Sequence, residues 1–592
     1  MIHRIRRLLL PASLALLATA CGSGSGSGPD TAAEVSLVLT DAATDELSQF
    51  EVTVQNIVFT KRNGDTVSVL PRRTRVDFLE LQALNELVAG TALEAGVYRA
   101  VALELDFQGA AVVIAGASTP ATVRDAAGAP ITGVVPVTID FPAGAQPLVR
   151  PGRNNLFVFD LQLDQSVTVD VPGNAVTFTP VWTVELDPTN PKPIAANGVL
   201  HSVDLNTRTF VVERRAPDDT AIGQFTVATT GATVFQLDGT VSLGAPGVGN
   251  LVAHTGDRVF VQGTLRPQDR VLTAVAVESG AGVPGNGQDQ VFGHVVARSG
   301  GAGGDATLTV LGRSYDVGTD TRRFNTLHTV SVSFANTKVL RRGAGNDLDT
   351  DAIQIGQLVW LFGDLTATTL DATAATGTAR LLPTAIFGVC VGTPSGGTLT
   401  LDLVRFDARD VAAFDFAIGG VPQADPDAFT VDVTGLSTTG ITNGSKLRVD
   451  GWLRGVGTAG ADATARAIVD RSTTARLLRC EWSPATEGVL AANGATAIAL
   501  DVAAASVRTV ADGFGTVTLT SVPVPTIAPL AGAGIYSIVE DGAIEANLSF
   551  SQFRTSLLAR QATTPVRRVT AFGTFDETSQ AFAALTVTVL LQ

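Results

Sequence analysis

The segment GDRVFVQGTL at Gly256–Leu265 decides how the C-terminal two-thirds of this 592-residue sequence is interpreted. Related segments follow it, and they read GQLVWLFGDL at Gly356–Leu365, SKLRVDGWL at Ser445–Leu453 and RRVTAFGTF at Arg567–Phe575. In each segment apolar residues alternate with other residues around one glycine, which is the period-two pattern of a β-strand with one buried face. Because the pattern recurs four times, it predicts one β-module present in four copies.

Twelve equivalent positions in these segments share the expected buried face. They lie four residues before, two residues before and two residues after the glycine, and all of them are apolar. Successive side chains of a strand point to opposite faces, so the same face is expected to be buried in every copy. The positions are Val259, Val359, Leu447 and Val569; Val261, Leu361, Val449 and Ala571; and Leu265, Leu365, Leu453 and Phe575.

A second glycine marks the predicted first strand of each copy. The segments NGVLHSV, FGHVVAR, FGVCVGT and EGVLAAN contain Gly198, Gly293, Gly388 and Gly488. The spacings are 95 (198 to 293), 95 (293 to 388) and 100 (388 to 488) residues. A sheet this small protects its edges best by closing on itself, so each copy is predicted to be an OB-like β-barrel, with a small sandwich as the alternative. The predicted repeats span 197–282, 291–384, 386–478 and 487–592.

Residues 34–190 differ from the repeats and are predicted to form a β-sandwich domain. Runs of alternating apolar residues at Val35–Thr40, Phe50–Phe59, Tyr98–Phe107 and Asn155–Asp164 predict its strands. The sequence as a whole therefore predicts an all-β protein.

Helical periodicity is confined to a few places. The stretch DFLELQALNELVA at Asp77–Ala89 is predicted to be a helix, and further candidates lie near 407–414 and 549–560.

The N-terminal residues have the pattern of a bacterial lipoprotein signal peptide. Arg4, Arg6 and Arg7 form a positive region, Leu8–Leu17 is apolar, and small residues precede Cys21. Residues 1–20 are therefore predicted to be a signal peptide and Cys21 the lipidated residue. The alternative is an ordinary secretory signal with an incidental cysteine.

Residues 21–33 contain the repeat GSGSGSG at Gly22–Gly28, which is predicted to be a flexible tether between a lipid anchor and the folded body. We expect the protein to lie in the cell envelope, on the periplasmic or surface face of an outer membrane, and to contact the membrane through the anchor only.

Composition excludes several classes of protein. Hydrophobic residues make up 45% of the chain and charged residues 16%, so a mostly disordered chain is excluded. The formal charge of -15 lacks the basic character of a nucleic-acid-binding protein, so nucleic acid is not an expected partner. With 3 Cys the chain is not a disulfide-dense scaffold. A protein or glycan partner stays open.

Two resemblances support this architecture. The order of LVLTDAATDEL (Leu37–Leu47), VDFLELQALNELVAG (Val76–Gly90), EAGVYRAVALEL (Glu94–Leu105) and the region Val158–Glu185 resembles a bacterial lipoprotein domain of unknown function. The repeats resemble a second uncharacterised family of tandem small β-domains found on secreted bacterial proteins. Neither resemblance implies an activity or a functional residue.

No motif predicts catalysis. The sequence has no Gly-x-Ser-x-Gly elbow, no His-Glu-x-x-His helix and no Gly-Lys-Ser/Thr phosphate loop. We therefore predict no catalytic residue and no cofactor. One acidic loop, with Asp347, Asp349 and Asp351 at alternate positions, could offer oxygen ligands to Ca²⁺, and the alternative is a solvated acidic turn.

Two further features leave alternatives open. Cys390 and Cys480 are predicted either to form a disulfide across a closed third repeat or to be two buried thiols. Trp360 and Phe362 point outward from their predicted strand, so they form either a surface aromatic patch for a ligand or a packing contact with a neighbouring repeat.

These observations favour a lipid-anchored, non-enzymatic envelope protein whose β-domains are structural or interaction modules. The alternative is an extracellular protein that binds glycans or other ligands. A hydrolase that uses carboxylates alone is the third hypothesis, because the chain contains 56 acidic residues.

Overall fold

The computed structural model describes residues 32–592 except 43–45, 71–72, 80–84, 142–145, 151–154, 187–191, 216–220, 266–270, 281, 284–285, 344–346, 473–475, 512–513, 531–533, 541–542 and 546–548. The signal peptide, Cys21 and most of the tether predicted from the sequence lie outside the described residues. The described part is all-β, as predicted, and its sheets are joined by short turns. None of its helices is long and apolar enough to cross a bilayer.

The N-terminal unit (residues 32–186) contains strands of two large sheets and a three-stranded sheet around one core. Its elements are β1 (Ala32–Ala42), β2 (Leu47–Lys61), β3 (Thr66–Ser68), β4 (Thr74–Asp77), β5 (Asn85–Glu94), β6 (Gly96–Ile114), β7 (Thr122–Arg124), β8 (Val134–Asp140), β9 (Leu148–Val149), β10 (Asn155–Gln162), α1 (Leu163–Ser166), β11 (Val167–Asp170), β12 (Ala175–Phe178) and β13 (Trp182–Leu186).

Aromatic side chains fill the space between the two large sheets. One large sheet has the order β13-β10-β1-β5, the other is built around β2, β6 and β8, and the three-stranded sheet has the order β11-β12-β7. Phe59 on β2 lies 4.9 Å from Phe157 on β10 between ring centroids, and both side chains are fully buried. The alternating apolar residues on these strands therefore meet across one shared core.

The helix predicted at Asp77–Ala89 is wrong where the structure describes it. β4 ends at Asp77, and β5 begins at Asn85 and pairs antiparallel with β1. Pairing with β1 satisfies the backbone groups of β5, so the tertiary context overrides the local helical preference. The candidate near 549–560 is confirmed as helix α3, whereas the candidate near 407–414 contains only a 3₁₀ turn at Val411–Ala413.

Units 1 and 2 follow the N-terminal unit. Unit 1 (residues 192–279) contains β14 (Lys192–Asp204), β15 (Thr209–Arg215), β16 (Ala221–Ala228), β17 (Val234–Leu237), β18 (Thr240–Leu243), α2 (Gly244–Leu251), β19 (Arg258–Leu265) and β20 (Leu272–Ser279). Unit 2 (residues 289–382) contains β21 (Asp289–Ser299), β22 (Ala306–Asp316), β23 (Thr321–Val332), β24 (Lys338–Arg341), β25 (Asp347–Leu348), β26 (Leu358–Thr366), β27 (Thr369–Ala372) and β28 (Thr378–Leu382).

Units 3 and 4 complete the chain. Unit 3 (residues 384–470) contains β29 (Thr384–Cys390), β30 (Thr398–Phe406), β31 (Arg409–Asp410), β32 (Ala417–Ile418), β33 (Val421–Pro422), β34 (Phe429–Asp432), β35 (Lys446–Leu453) and β36 (Ala463–Asp470). Unit 4 (residues 476–591) contains β37 (Arg476–Thr486), β38 (Leu490–Asn493), β39 (Ala497–Leu500), β40 (Val507–Ala511), β41 (Thr516–Thr518), β42 (Thr526–Pro529), β43 (Ile535–Glu540), β44 (Ala543–Glu545), α3 (Phe550–Arg560), β45 (Val566–Asp576) and β46 (Ala581–Leu591).

The four units share one strand order, which closes into a ring in units 1, 2 and 3. In unit 3, β29 pairs with β30, β30 with β34, β34 with β36 in parallel, β36 with β35, and β35 with β29. Equivalent rings are β14-β15-β16-β20-β19 in unit 1 and β21-β22-β23-β27-β26 in unit 2. In unit 4 the path β37-β45-β46-β42-β39-β38 follows the same order, but β37 and β38, which are consecutive in the chain, are not paired with each other among the described residues. The closed rings leave no long open edge.

The expected common buried face is present. Eleven of the twelve matched positions are buried, with exposures from 0% to 7%, and Phe575 is half-buried. The glycine between them is required by close packing, because a Cβ there would lie within 2.4 Å of a carbonyl oxygen on the facing strand. The pairs are Gly263 with Thr273, Gly363 with Asp371, Gly451 with Thr464 and Gly573 with Ala583.

The first strand of the fourth unit differs from the prediction. Gly198, Gly293 and Gly388 face Val259, Val359 and Leu447 across the first strand pair of their units. In unit 4 the residue that faces Val569 is Cys480, so the first strand is β37, and the EGVLAAN segment with Gly488 follows it. The predicted boundaries 386–478 and 487–592 are therefore misplaced, because a cysteine occupies the glycine position.

The units pack against one another. β5 of the N-terminal unit pairs in parallel with β14 of unit 1, and β8 pairs in parallel with β44 of unit 4. Side chains of unit 4, including Val539 and Ile544, join the core of the N-terminal unit. The chain is therefore a closed assembly in which the N-terminal unit contacts both the first and the last of the four units.

The glycine of the repeated strand provides a stability test. Gly363→Ala is expected to lower the free energy of unfolding by about 1–3 kcal/mol, because the added methyl group has to displace a backbone carbonyl. Gly301→Ala is the matched control in the same unit, since a Cβ there meets nothing within 4 Å. Thermal or urea unfolding measures both variants, and equal losses in the two would contradict this account.

A buried histidine provides a test by pH. Burial lowers the pKa of His328 to about 4 from its ordinary value of 6.5, and the charge of Arg323 adds to the shift. Between these pH values the unfolded chain binds a proton that the folded chain does not bind, so stability should fall as the pH falls from 6.5 to about 4.

The slope of unfolding free energy against pH measures this contribution. His328→Gln should flatten the slope over that range, whereas His201→Gln, at an exposed position, should leave it unchanged. An unchanged slope in His328→Gln would show that another group accounts for it.

Candidate functional site

A cleft of about 330 Å³ lies between the N-terminal unit and unit 2. Its N-terminal side is formed by β2 and β4, which place Glu51 directly opposite Asp77. Its other side is formed by β21, β22, β23 and β26 of unit 2. Two sheet surfaces thus present side chains to a shared space, which is the concave arrangement typical of small-ligand sites.

Ion pairs join the two sides at the floor of the cleft. Arg322 of unit 2 donates from Nη1 to Glu51, with a distance of 2.6 Å to Oε1, and Arg75 also pairs with Glu51. Arg313 of unit 2 donates from Nη1 to Oδ2 of Asp77 at 2.6 Å. Because the Arg322–Glu51 and Arg313–Asp77 pairs cross from one unit to the other, they fix the width of the cleft, whereas Arg75 supports Glu51 from within the N-terminal unit.

The two carboxyl groups are shifted in opposite directions. Burial acts to raise the pKa of Glu51, but the hydrogen bond and the charge of Arg322 outweigh it and the pKa is lowered. Burial raises the pKa of Asp77, and Arg313 opposes this shift without reversing it. Three arginines and two carboxyl groups line the cleft, and a third carboxylate, Asp320, accepts a hydrogen bond from Tyr315 and acts on Arg322 from outside the lining.

Aromatic rings form one wall of the cleft. The Trp360 ring meets Phe292 edge-on at 5.7 Å, and its Nε1 donates to Oε1 of Gln290 at 2.7 Å. Arg322 lies 5.1 Å from the centroid of the Tyr315 ring. Both the rings and the guanidinium groups are therefore held in fixed positions before any ligand arrives.

Two polar atoms in the lining have unused hydrogen-bonding capacity. Gln49 is 3% exposed and Ser314 is 4% exposed, and both line the cleft. Among the residues that the structure describes, neither Oε1 of Gln49 nor Oγ of Ser314 has a hydrogen-bond partner. A buried polar atom without a partner costs about 1–3 kcal/mol, so a group that bonds to it is stabilised.

The predicted aromatic patch is only partly supported. Trp360 is half-buried and lines the cleft, so it is accessible from the side of the N-terminal unit. Phe362 is 1% exposed and stacks on Trp360 at 5.6 Å between ring centroids. The first alternative, in which both rings form an exposed patch, is therefore wrong for Phe362, whose ring is buried against Trp360 of the same strand.

The acidic loop does not assemble as a cation site in the described residues. Asp349 accepts a hydrogen bond from the backbone of Asp351, and Asp351 lies 3.6 Å from Nη2 of Arg298 and accepts from the backbone of Gly303. The side chain of Asp347 lies outside the described residues. No cluster of three or more His, Cys, Asp or Glu side chains able to hold a metal ion occurs in the described part of the chain.

Cys390 and Cys480 are both buried and free. Cys390 lies on the first strand of unit 3 and Cys480 on the first strand of unit 4, so they belong to different sheets. The structure thus matches the second alternative, two buried thiols. Burial raises the pKa of both, that of Cys480 to about 12, so neither is a ready nucleophile.

Several cleft residues were missed by sequence reasoning. Arg313 and Asp77 are 236 positions apart, and Arg322 and Glu51 are 271 positions apart. In the sequence these residues are charged side chains that alternate with buried ones along a strand. The same pattern is typical of any strand with one solvated face, so it does not indicate a binding site. Of these cleft residues the sequence indicates only Trp360, because it and Phe362 form two adjacent outward aromatics on one strand.

Comparison with known proteins gives one match. Residues 32–180 match the model of a family described as Domain of unknown function (DUF4382), which covers most of the N-terminal unit. No curated protein and no solved structure matches the chain. The match agrees with the resemblance of this region to an uncharacterised family.

Proposed function

We propose that the protein is a non-enzymatic binding protein of the cell envelope, anchored by lipid at Cys21, whose ligand site is the cleft between the N-terminal unit and unit 2. The observation that carries this proposal is the composition of the cleft. It combines a wall of fixed aromatic rings with arginines and with buried polar atoms that have no partner. A spacer needs none of these features, whereas a binding site needs all three.

The state of the two carboxylates favours binding over hydrolysis. A carboxylate-dependent hydrolase presents one protonated and one ionised carboxyl group to its substrate, and the raised pKa of Asp77 and the lowered pKa of Glu51 follow that pattern, but here both groups are held by arginines. Glu51 is bound by Arg322 and Arg75, and Asp77 by Arg313. Both groups are thus engaged by cations from the cleft itself, which suits them to positioning the arginines and not to proton transfer.

The envelope location depends on the N-terminal sequence. The positive region, the apolar stretch Leu8–Leu17 and the small residues before Cys21 support a lipoprotein signal, and Gly22–Gly28 supports a flexible tether. An N-terminal unit attached to that tether would hold the cleft at a distance from the membrane.

The anchor is testable by fractionation. Cys21→Ser is expected to move the protein from the membrane pellet to the soluble fraction, because the acyl chains attach through that thiol. Labelling with a fatty-acid analogue should fail in the same variant, and Cys390→Ser should behave as wild type. Persistence of Cys21→Ser in the pellet would refute the proposed anchor.

The ligand site is testable on a glycan array with the full mature chain. Trp360→Ala should weaken binding at least tenfold, which corresponds to about 1.4 kcal/mol, because the ring forms the wall of the cleft. Phe334→Ala is the control, since it removes an aromatic ring that is 37% exposed in the same unit. Equal binding by wild type and Trp360→Ala would contradict the assignment of the cleft.

A further inference from the structure

We propose that the ligand of the cleft is an acidic saccharide, a short sugar that carries a carboxylate, and this inference rests on the proposed function. The contrast in charge is the first reason. Arg75, Arg313 and Arg322 line the cleft against only two carboxyl groups, although acidic residues outnumber basic ones in the chain as a whole. Asp320 lies beside Tyr315 and Arg322 outside the lining, so the attraction for anions comes from the lining arginines and is local to the cleft.

The second reason is that Arg322 has donors to spare. It uses Nη1 alone for both oxygens of Glu51, and its side chain is 31% exposed. A guanidinium group has five N–H donors in a planar fork, so Nε and Nη2 can still bind an incoming group. A carboxylate matches such a fork with two parallel hydrogen bonds.

The third reason is the aromatic wall, which distinguishes a sugar acid from a simple anion. The rings of Trp360 and Tyr315 are half-buried and lie beside Arg322 in the cleft lining. An inorganic anion gains nothing from an apolar ring face, whereas the C–H face of a pyranose ring packs on one. Trp and Tyr also combine an apolar body with a polar tip, which suits a partly wet ligand.

The fourth reason is the hydrogen-bonding capacity left in the lining. Oε1 of Gln49 accepts no hydrogen bond and Oγ of Ser314 has no partner among the described residues, and both side chains are more than nine-tenths buried. Sugar hydroxyl groups donate and accept, so they can satisfy both atoms. The volume of about 330 Å³ lies at the low end of the range for ligand sites, which favours one or two sugar rings over a long polymer.

Titration calorimetry of the full mature chain tests the ligand class with three probes: a uronic-acid disaccharide, the matched neutral disaccharide and inorganic phosphate. The acidic disaccharide should bind at least tenfold more tightly than either of the others. Its affinity should fall when salt is raised from 50 to 300 mM, because charges in a partly open cleft are screened. This comparison uses wild type alone and does not depend on a variant that folds.

Two variants locate the effect. Arg322→Gln should weaken binding of the acidic disaccharide at least tenfold more than binding of the neutral one, because both sugars lose the support of the pair with Glu51 but only the acidic sugar loses a charged partner. Arg99→Gln, which removes an exposed arginine on β6, should change neither. Circular dichroism of both variants checks that the fold is intact.

Each remaining outcome overturns the inference in a distinguishable way. Equal binding of the two disaccharides removes the requirement for a carboxylate but leaves the cleft as a binding site. Phosphate bound as tightly as the acidic disaccharide means that the cleft recognises charge without a sugar. Failure of every probe to bind removes the acidic-saccharide ligand, while the array comparison of Trp360→Ala still decides the proposed function.

Discussion

The structure depends on carboxylates that are buried at the junctions between units and held by arginines from the neighbouring unit. Glu278 of unit 1 is fully buried, and Arg342 and Arg380 of unit 2 contact it at 3.1 and 3.4 Å. Burial acts to raise the pKa of Glu278, but the two arginines outweigh it and lower the pKa. Separating such a pair leaves a buried charge without a partner, which costs about 3–5 kcal/mol. The pairs therefore act as fixed joints, and the cleft keeps its shape because Glu51 and Asp77 are held in the same way.

Unit 2 supplies the arginines at two of these junctions, which explains why it carries the candidate site. Its interior repeats the pattern of the other units, with Val359 and Leu361 in the core. Its outer faces do not repeat, since Arg313 and Arg322 face the N-terminal unit while Arg342 and Arg380 face unit 1. Copies of one module thus keep a common interior, and the differences that matter for recognition are confined to surfaces that meet other units. The repeated positions themselves are core residues and do not indicate a function.

The same division explains what the sequence predicted and what it did not. Period-two alternation identified the all-β class and the shared face, because burial inside one barrel is a local property of each strand. The predicted start of the fourth unit is wrong because Cys480 occupies the position of the expected glycine. The residues of β5 predict a helix because pairing with β1, which makes them a strand, is a long-range contact that their local sequence does not indicate. The ion pairs of the cleft join residues more than two hundred positions apart, so no local pattern could indicate them. Alternation along the strand indicates that Trp360 and Phe362 point outward, but it does not indicate which of the two rings is accessible in the folded chain.

The parallel pairing of β8 with β44 has a consequence for how the protein can evolve. An open array of repeats gains or loses a copy easily, because each copy touches only its neighbours. Here unit 4 forms strand hydrogen bonds with the N-terminal unit, which also pairs with unit 1. The first and last units are therefore both attached to the N-terminal unit. Deleting or duplicating one unit would move β44 away from β8 and leave both strands without their partner. The closure therefore ties the number of modules to the geometry of these two strand pairings, a constraint that an open array does not have.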